Sequence, residues 1–503
     1  MNKITQAISL LFGVLLTIFV SSCKTEPEEP NNTIVSQFVY DGMSTYYLWA
    51  DEMVSKKPTS KDSNPSKYFE SILNPIDKEH GWSFITNDVQ SLLAGFSGEP
   101  KSFGFSVVFV VLNEVQAEPV AFIQYVFPNT PASKAGLKRT DMISKINGQP
   151  ITENNYRVLY GNESATFTIY KNDKSNNLEE YGNVTLTPTV ISTDPVLYTN
   201  IYEIDGKKIA YLFYTGFIQN YNSSLYNAFM QFKREGVTDL VLDLRYNHGG
   251  VVTAATYLSS LIAPRAEIEK KSPLVLMTYN SFVNTIFERN NISRADSLGV
   301  YAAKEQNPLD ANLDLNKVYI IATGDSYSAS ELVTFCLKPY MEVIHIGGNT
   351  GGKYTASWII HPYDDDLGLP LYEESVLPNN YKTKLRNWAM QPIVGKYTNC
   401  KNEDFSVPGY LAPDYPLTEG GGHVNYWVPI GDTSDVFLGQ ALYLITGDAS
   451  YKPAQKVLSS AGINETVFIP LDNPNDAGKE AVILDNVKLP AKELKKIFPS
   501  LTK

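Results

Sequence analysis

The chain has 503 residues, a net charge of −12 and a pI near 5.1. This balance argues against nucleic acid or an anionic membrane surface as a main partner, because both are held by basic patches. Hydrophobic residues make up 43% and charged residues 19%, which suits about three packed domains and excludes a disordered chain.

The first 22 residues read as a signal peptide. Lys3 supplies positive charge, and Ile8 to Val20 is an apolar stretch, short for a membrane span and followed by no basic stop signal. It closes on Val20-Ser21-Ser22-Cys23, a tetrad that resembles the bacterial lipobox. The resemblance implies cleavage before Cys23 and a diacylglycerol on its thiol. Residues 23–33 contain a Pro-rich acidic run (KTEPEEPNN) suited to a solvated tether. Over 34–95, Phe38, Val39, Met43, Tyr46 and Leu48 recur at helical intervals. Together with Trp49, Phe69, Ile72, Leu73 and Trp82 they predict a small helical domain, with His80 as a surface histidine.

From 96 to 190 the pattern turns to short strands, including Val107–Leu112 and Ala121–Val126. From 191 to 450 strands alternate with helices: 208–213, 239–244, 274–278, 318–322 and 343–346 read as strands, 223–234 and 253–262 as helices. This predicts an α/β domain of crossover units. Residues 451–503 form a C-terminal extension. Of the three cysteines, Cys336 sits in an apolar helical run and is expected as a buried thiol, with no disulfide to Cys400. There is no C-x-x-C pair and no ladder of metal ligands, so neither metal nor cofactor is expected. His345, His361 and His423 are read as structural.

Three segments of the α/β domain begin where an apolar strand ends, the place where ligands gather in open α/β sheets. Asp243 to Gly250 (DLRYNHGG) ends in two glycines, which can leave backbone donors free for an oxyanion. Gly324 to Glu331 (GDSYSASE) puts small hydroxyl residues before a helix start; Ser328-Ala329-Ser330-Glu331 also matches an ordinary capping box. Gly347 to Lys353 (GGNTGGK) has the glycine and lysine offsets of a phosphate loop, but Tyr354 stands where the magnesium-binding hydroxyl belongs.

Two resemblances join these pieces. Thr130–Leu137 (T-P-A-x-x-A-G-L) and Asp141–Gly148 (D-x-I-x-x-I-N-G) resemble a PDZ domain of the bacterial protease type. Ser102-Phe103-Gly104-Phe105 is similar to its carboxylate-binding loop, which implies peptide binding by Phe103, Gly104 and Phe105. The three α/β segments together resemble the catalytic core of the S41 peptidases, the C-terminal (tail-specific) processing proteases. That resemblance implies a multidomain α/β protein: a small N-terminal helical domain, a PDZ-like β-rich domain and a ClpP/crotonase-like α/β serine-protease domain. It implies Ser328 as nucleophile and Lys353, 25 positions later, as general base. The backbone N–H groups of Ala329 and of Gly249 or Gly250 would form the oxyanion hole. The family's orienting Gln or Glu, four residues after the lysine, is replaced here by Ser357, and the proline before the glycine pair by His248. A Ser328–His248 pair is therefore a second arrangement. A lysine can act as base only where burial disfavours its charged form. No G-x-S-x-G elbow surrounds any serine, so an α/β-hydrolase esterase is not supported. The expected function is a serine endopeptidase acting on exported polypeptides, near C-termini or in unfolded segments. The alternative is a non-catalytic surface lipoprotein that binds peptides or other ligands through the PDZ-like and protease-like folds. The expected location is the bacterial cell envelope, most simply the outer membrane, held only by the lipid on Cys23.

Overall fold

A computed structural model describes residues 33–111, 119–161, 163–172, 178–364, 367–377, 379–422, 424–453 and 467–469. The signal peptide, the tether, Cys23 and His423 lie outside the described residues. The N-terminal part is built from helices α1 (Thr33–Tyr46), α2 (Pro65–Ile72) and α3 (Pro75–His80). The last two start in the same way. Asn64 and Asn74 cap with their side chains, each followed by a proline at the first helical position, where the missing N–H costs nothing. α3 stops on Gly81 in the left-handed conformation. α1 buries Val35, Phe38, Val39, Met43 and Tyr46, one helical stripe. That stripe joins the same hydrophobic cluster as Leu212, Leu240, Ile320 and Ile393 of the α/β domain. The N-terminal helices therefore share the core of the α/β domain. Strand β1 (Phe84–Thr86) reinforces the join by pairing antiparallel with residues 389–391, so the region is not purely helical. Helix α4 (Val89–Ser97) leads into the next domain.

The PDZ-like sheet is antiparallel and has its own core, with Phe103, Phe109, Ile123, Ile143 and Phe167 buried together. Its strands are β2 (Phe105–Val111), β3 (Val120–Val126), β4 (Met142–Ile146), β5 (Ala165–Asn172) and β6 (Leu178–Leu186), paired in that order.

The α/β domain opens with β7 (Val196–Ile204), antiparallel to β8 (Lys207–Tyr214). Helix α5 (Asn222–Glu235) returns the chain to β9 (Asp239–Asp243), parallel to β8. Within β9, Leu240 and Leu242 enter the large cluster, while Val241 enters a second cluster on the opposite face. Cover on both faces explains the unbroken apolar run. Helix α6 (Val252–Ile262) follows β9. The expected strand 274–278 forms as β10 (Pro273–Tyr279), but it joins a separate four-stranded sheet beside β11 (Ala295–Ser297). β12 (Lys317–Ala322), helix α7 (Ala329–Cys336) and β13 (Glu342–Gly347) continue the parallel sheet. β14 (Thr355–Ser357) and β16 (Ile393–Asn399) complete the second sheet, and β15 (Ala389–Gln391) is the partner of β1. β17 (Tyr415–Pro416) closes the parallel edge, and α8 (Val436–Thr446) covers the second face with Phe437, Leu438, Ala441 and Leu442. β18 (Val467–Ile469), from the C-terminal extension, pairs with β2 of the PDZ-like sheet. Cys336 and Cys400 are free thiols, and burial pushes the Cys336 thiol well up.

Charge fastens the two domains together. Arg245 is fully buried and reaches Asp243 at 2.7 Å, Glu419 at 2.7 Å and Asp435 at 2.8 Å. Burial alone would raise the Asp435 carboxyl; the Arg245 guanidinium reverses this and holds it low. Arg139, from the PDZ-like domain, shares Glu419 at 2.6 Å and donates to the Tyr246 hydroxyl at 2.9 Å and the Val428 carbonyl at 2.8 Å. It also lies over the Trp427 ring. Removing one member of such a buried set leaves uncompensated charge. Arg245→Met should therefore lose about 3–5 kcal/mol of stability, read as a fall in the calorimetric transition temperature; an unchanged transition would show that the cluster is already neutralised by other means.

Candidate active site

The three motif segments meet at the carboxyl ends of β9, β12 and β13. Ser328 stands at the N-cap of α7 with φ 55° and ψ −102°, a conformation that non-glycine residues rarely adopt and that costs energy to hold. It is fully buried, and its Oγ has no hydrogen-bond partner among the described residues. The neighbouring serines are committed. Ser326 Oγ donates to the Leu244 carbonyl at 2.8 Å, and Ser330 Oγ donates to the Asn247 carbonyl at 2.8 Å. Of the three serines, Ser328 alone keeps its hydroxyl uncommitted.

What holds Ser328 in place is Glu331. Its Oε2 accepts the N–H groups of Ser328 and Lys353, each at 2.8 Å. Its Oε1 accepts the Thr350 hydroxyl at 2.5 Å and the Gly352 N–H at 2.7 Å. Burial pushes the Glu331 carboxyl up, and these four hydrogen bonds pull it back. One side chain thus ties the start of α7 to the glycine-rich loop. The Tyr397 hydroxyl makes a second tie, with the Lys353 carbonyl at 3.0 Å and the Ser328 carbonyl at 3.2 Å. Gly352, at φ +91°, passes so close to Gly409 that an added Cβ would lie 2.1 Å from its carbonyl oxygen.

The other expected residues surround this core. Lys353 is fully buried. Ala329 follows the serine as the first residue of α7. Gly249 packs against the Ser328 turn: a Cβ there would lie 2.8 Å from the Tyr327 carbonyl and 3.1 Å from the Ala329 nitrogen. Its own N–H donates to Asn247 Oδ1 at 2.9 Å. Gly250 forms a parallel bridge with Phe217. Ser357 is buried on β14 and accepts a hydrogen bond from Gln391 Nε2 at 2.7 Å. His248 belongs to the glycine turn and is half-buried. The N-terminal region contributes Asp77, fully buried and bound by the Tyr47 hydroxyl at 2.7 Å and the Ser83 hydroxyl at 2.6 Å. Burial raises the Asp77 carboxyl, while Ser83, Tyr47 and the Lys353 charge lower it. Among the described residues no group of three or more His, Cys, Asp or Glu side chains is placed to hold a metal ion.

In the PDZ-like domain, Phe103 is a core residue, its ring stacked on Phe105 at 5.8 Å. The Gly104 N–H donates to Ser102 Oγ at 3.1 Å. The loop thus stands at the head of β2, with the Phe103 side chain spent on packing.

Sequence reasoning missed Glu331, which it took as half of a cap, and Tyr397, Thr350, Gln391 and Asp77. The S-A-S-E spacing carried the signal for Glu331. Thr350 sits inside the GGNTGGK loop, where no role was assigned to it; Tyr397, Gln391 and Asp77 lie far along the chain and have no local signature.

A strained serine with an open hydroxyl, tied through Glu331 to the backbone of a buried lysine and packed on a glycine turn, is an arrangement suited to a serine-type hydrolase. Comparison with known proteins narrows the class. The family model for peptidase family S41 matches residues 208–394, that for the peptidase S41 N-terminal domain matches 35–84, and that for the PDZ domain matches 94–156. Residues 208–394 thus match a peptidase domain of family S41, preceded by the two domains that the other models match. The chain is 25% identical over 435 residues to the carboxy-terminal processing protease CtpA of Bacillus subtilis, covering 84% of this chain and 83% of that one. A CtpA-like serine protease of Staphylococcus saprophyticus is 26% identical over 306 residues, covering 59% of this chain and 54% of that one, so the match spans about half of that relative's length. A crystal structure of an S41 protease from Bacteroides fragilis aligns with TM-score 0.63 and 25% identity, covering 82% of this chain and 97% of that one.

Glu331→Gln keeps the side-chain shape but turns an acceptor into an N–H₂ that faces donors. It should lower kcat at least about 100-fold, with loss of a buried charged hydrogen bond worth about 1.5–3 kcal/mol. Steady-state kinetics beside a thermal melt checks this; wild-type kcat in the variant would remove Glu331 from the site's support.

Proposed function

We propose that the protein cleaves polypeptides through a Ser328–Lys353 dyad. The observation that carries this reading is the open Ser328 hydroxyl between two committed serines. Lys353 Nζ takes the Ser328 Oγ proton as the oxygen attacks the peptide carbonyl. The tetrahedral oxyanion is held by the N–H groups of Ala329 and Gly250. Gly249, whose N–H serves Asn247, shapes the turn. Lys353 then passes the proton to the leaving amine, and water repeats the sequence on the acyl-enzyme. Ser357, which accepts from Gln391, is the residue we assign to orienting the lysine.

Two features support polypeptide substrates read near a C-terminus: the PDZ domain with its Phe103–Gly104–Phe105 loop, and the processing activity named in the relatives. Lipidation of Cys23, and with it a place in the cell envelope, rests on the V-S-S-C tetrad.

Ser328→Ala, Lys353→Ala and Lys353→Arg should each lower peptidase activity by about four orders of magnitude while the fold persists, whereas Ser326→Ala keeps most of it. Peptide-cleavage assays on the purified chain decide the point. Retained activity in Lys353→Ala with loss in His248→Ala would transfer the base to His248. Separately, Cys23→Ser should move the protein from the detergent phase to the aqueous phase in a phase-separation assay; identical partitioning of mutant and parent would remove the anchor.

A further inference from the structure

The PDZ sheet does not end at β2. Segment Val467–Ile469 of the C-terminal extension pairs with it antiparallel, Val467 opposite Val111, Phe468 opposite Val110 and Ile469 opposite Phe109. The other edge of β2 is already taken by β3. The edge that β18 covers is therefore the one at which an extended peptide could add as a further strand, gaining main-chain hydrogen bonds. Direction supports the comparison with a ligand. Running from Val467 to Ile469, the segment advances from Val111 toward Phe105, and thus toward the Ser102–Gly104 turn that precedes β2. From Phe109 to Phe105 is four residues, about 13 Å of strand. The segment thus occupies the upstream part of the track and stops short of the turn. The residue after Ile469 is proline, which has no N–H with which to extend a ladder.

We propose that Val467–Ile469 is a resident, intramolecular ligand of the PDZ sheet edge, which a substrate polypeptide must displace in order to bind. The proposal rests on the peptide-binding reading of the PDZ domain and is independent of the catalytic assignment. Val-Phe-Ile has the β-branched and aromatic composition that suits a strand. Only thirteen residues of sequence separate Pro453 from Val467, so pairing within one chain meets no dilution cost. Three residue pairs make a short ladder, easily opened. A longer apolar peptide that also reaches the turn at Gly104 would make more hydrogen bonds and win. The occupant belongs to the same chain, so the competition is insensitive to protein concentration.

The test uses the full chain carrying Ser328→Ala, so that bound peptide is not cut and activity plays no part. The probe is a fluorescein-labelled peptide of residues 464–471 with a free C-terminus, followed by anisotropy. Two variants open the edge: Phe468→Pro in the full chain, and a chain ending at Pro453. Each should bind the probe at least about fivefold more tightly than the parent. In the same proteins, hydrogen exchange over 108–111 should be about tenfold slower in the parent than in either variant, and adding the unlabelled peptide to the variants should restore the protection. Equal probe affinity in parent and both variants, or equal exchange over 108–111, would overturn the proposal. Protection in the parent that falls on dilution would overturn it too, by showing that the segment comes from a second copy.

Discussion

A buried carboxylate is the constraint on which the catalytic geometry depends. Glu331 lies in the first turn of α7, and its two oxygens gather four donors from the serine turn and from residues 350–353. A carboxylate removed from water is costly unless its acceptor sites are filled; here they are filled by the very segments that must be registered against each other. The energy that would otherwise be lost to desolvation becomes a positional restraint. It also supports the unfavourable backbone of Ser328, because the N–H of a residue at φ 55° is fixed by a charge-assisted hydrogen bond.

A second set of buried charges works at domain scale. Arg245 follows directly on β9, two residues after Asp243, and is neighbour to Tyr246, whose hydroxyl contacts Glu419 and Arg139. The polypeptide that carries the glycine turn at 249–250 is therefore continuous with the surface on which the PDZ domain sits. The β3 and β4 residues Phe122 and Met142, with Val110, pack on Val424 and Trp427 of the α/β domain, so apolar burial accompanies the ion pairs.

Much of this was legible in the sequence because the relevant patterns are short-range. Continuous apolar runs ending in polar or glycine turns located β9, β12 and β13, and the residues at their ends are those that meet. The limits were physical as well. S-x-x-E describes both a plain helix cap and the Glu331 clamp, and only the position of Thr350 and Gly352 tells them apart. Strand 273–279 has the composition of a parallel-sheet strand, yet its partners at 393–399 direct it into a separate antiparallel sheet. The apolar stripe of α1 reads as the core of an independent domain, because periodicity says which face is buried and not against what. Gln391 and Tyr397 are ordinary strand residues until folding brings them to Ser357, Ser328 and Lys353.

The joint between the two ends of the catalytic unit has a consequence for when the unit comes into being. Ser83 accepts the Ile393 N–H across 310 positions, β1 waits for β15, and Tyr397 reaches back to Ser328. Contacts of such sequence separation form late, after long loops have closed. A chain emerging from its amino end holds Ser328 and Lys353 before residues 389–397 exist to complete the hydrogen bonds around them. An unfinished or truncated polypeptide is thus a poor protease by construction, and the hydrolytic centre matures only when the whole catalytic unit has been delivered.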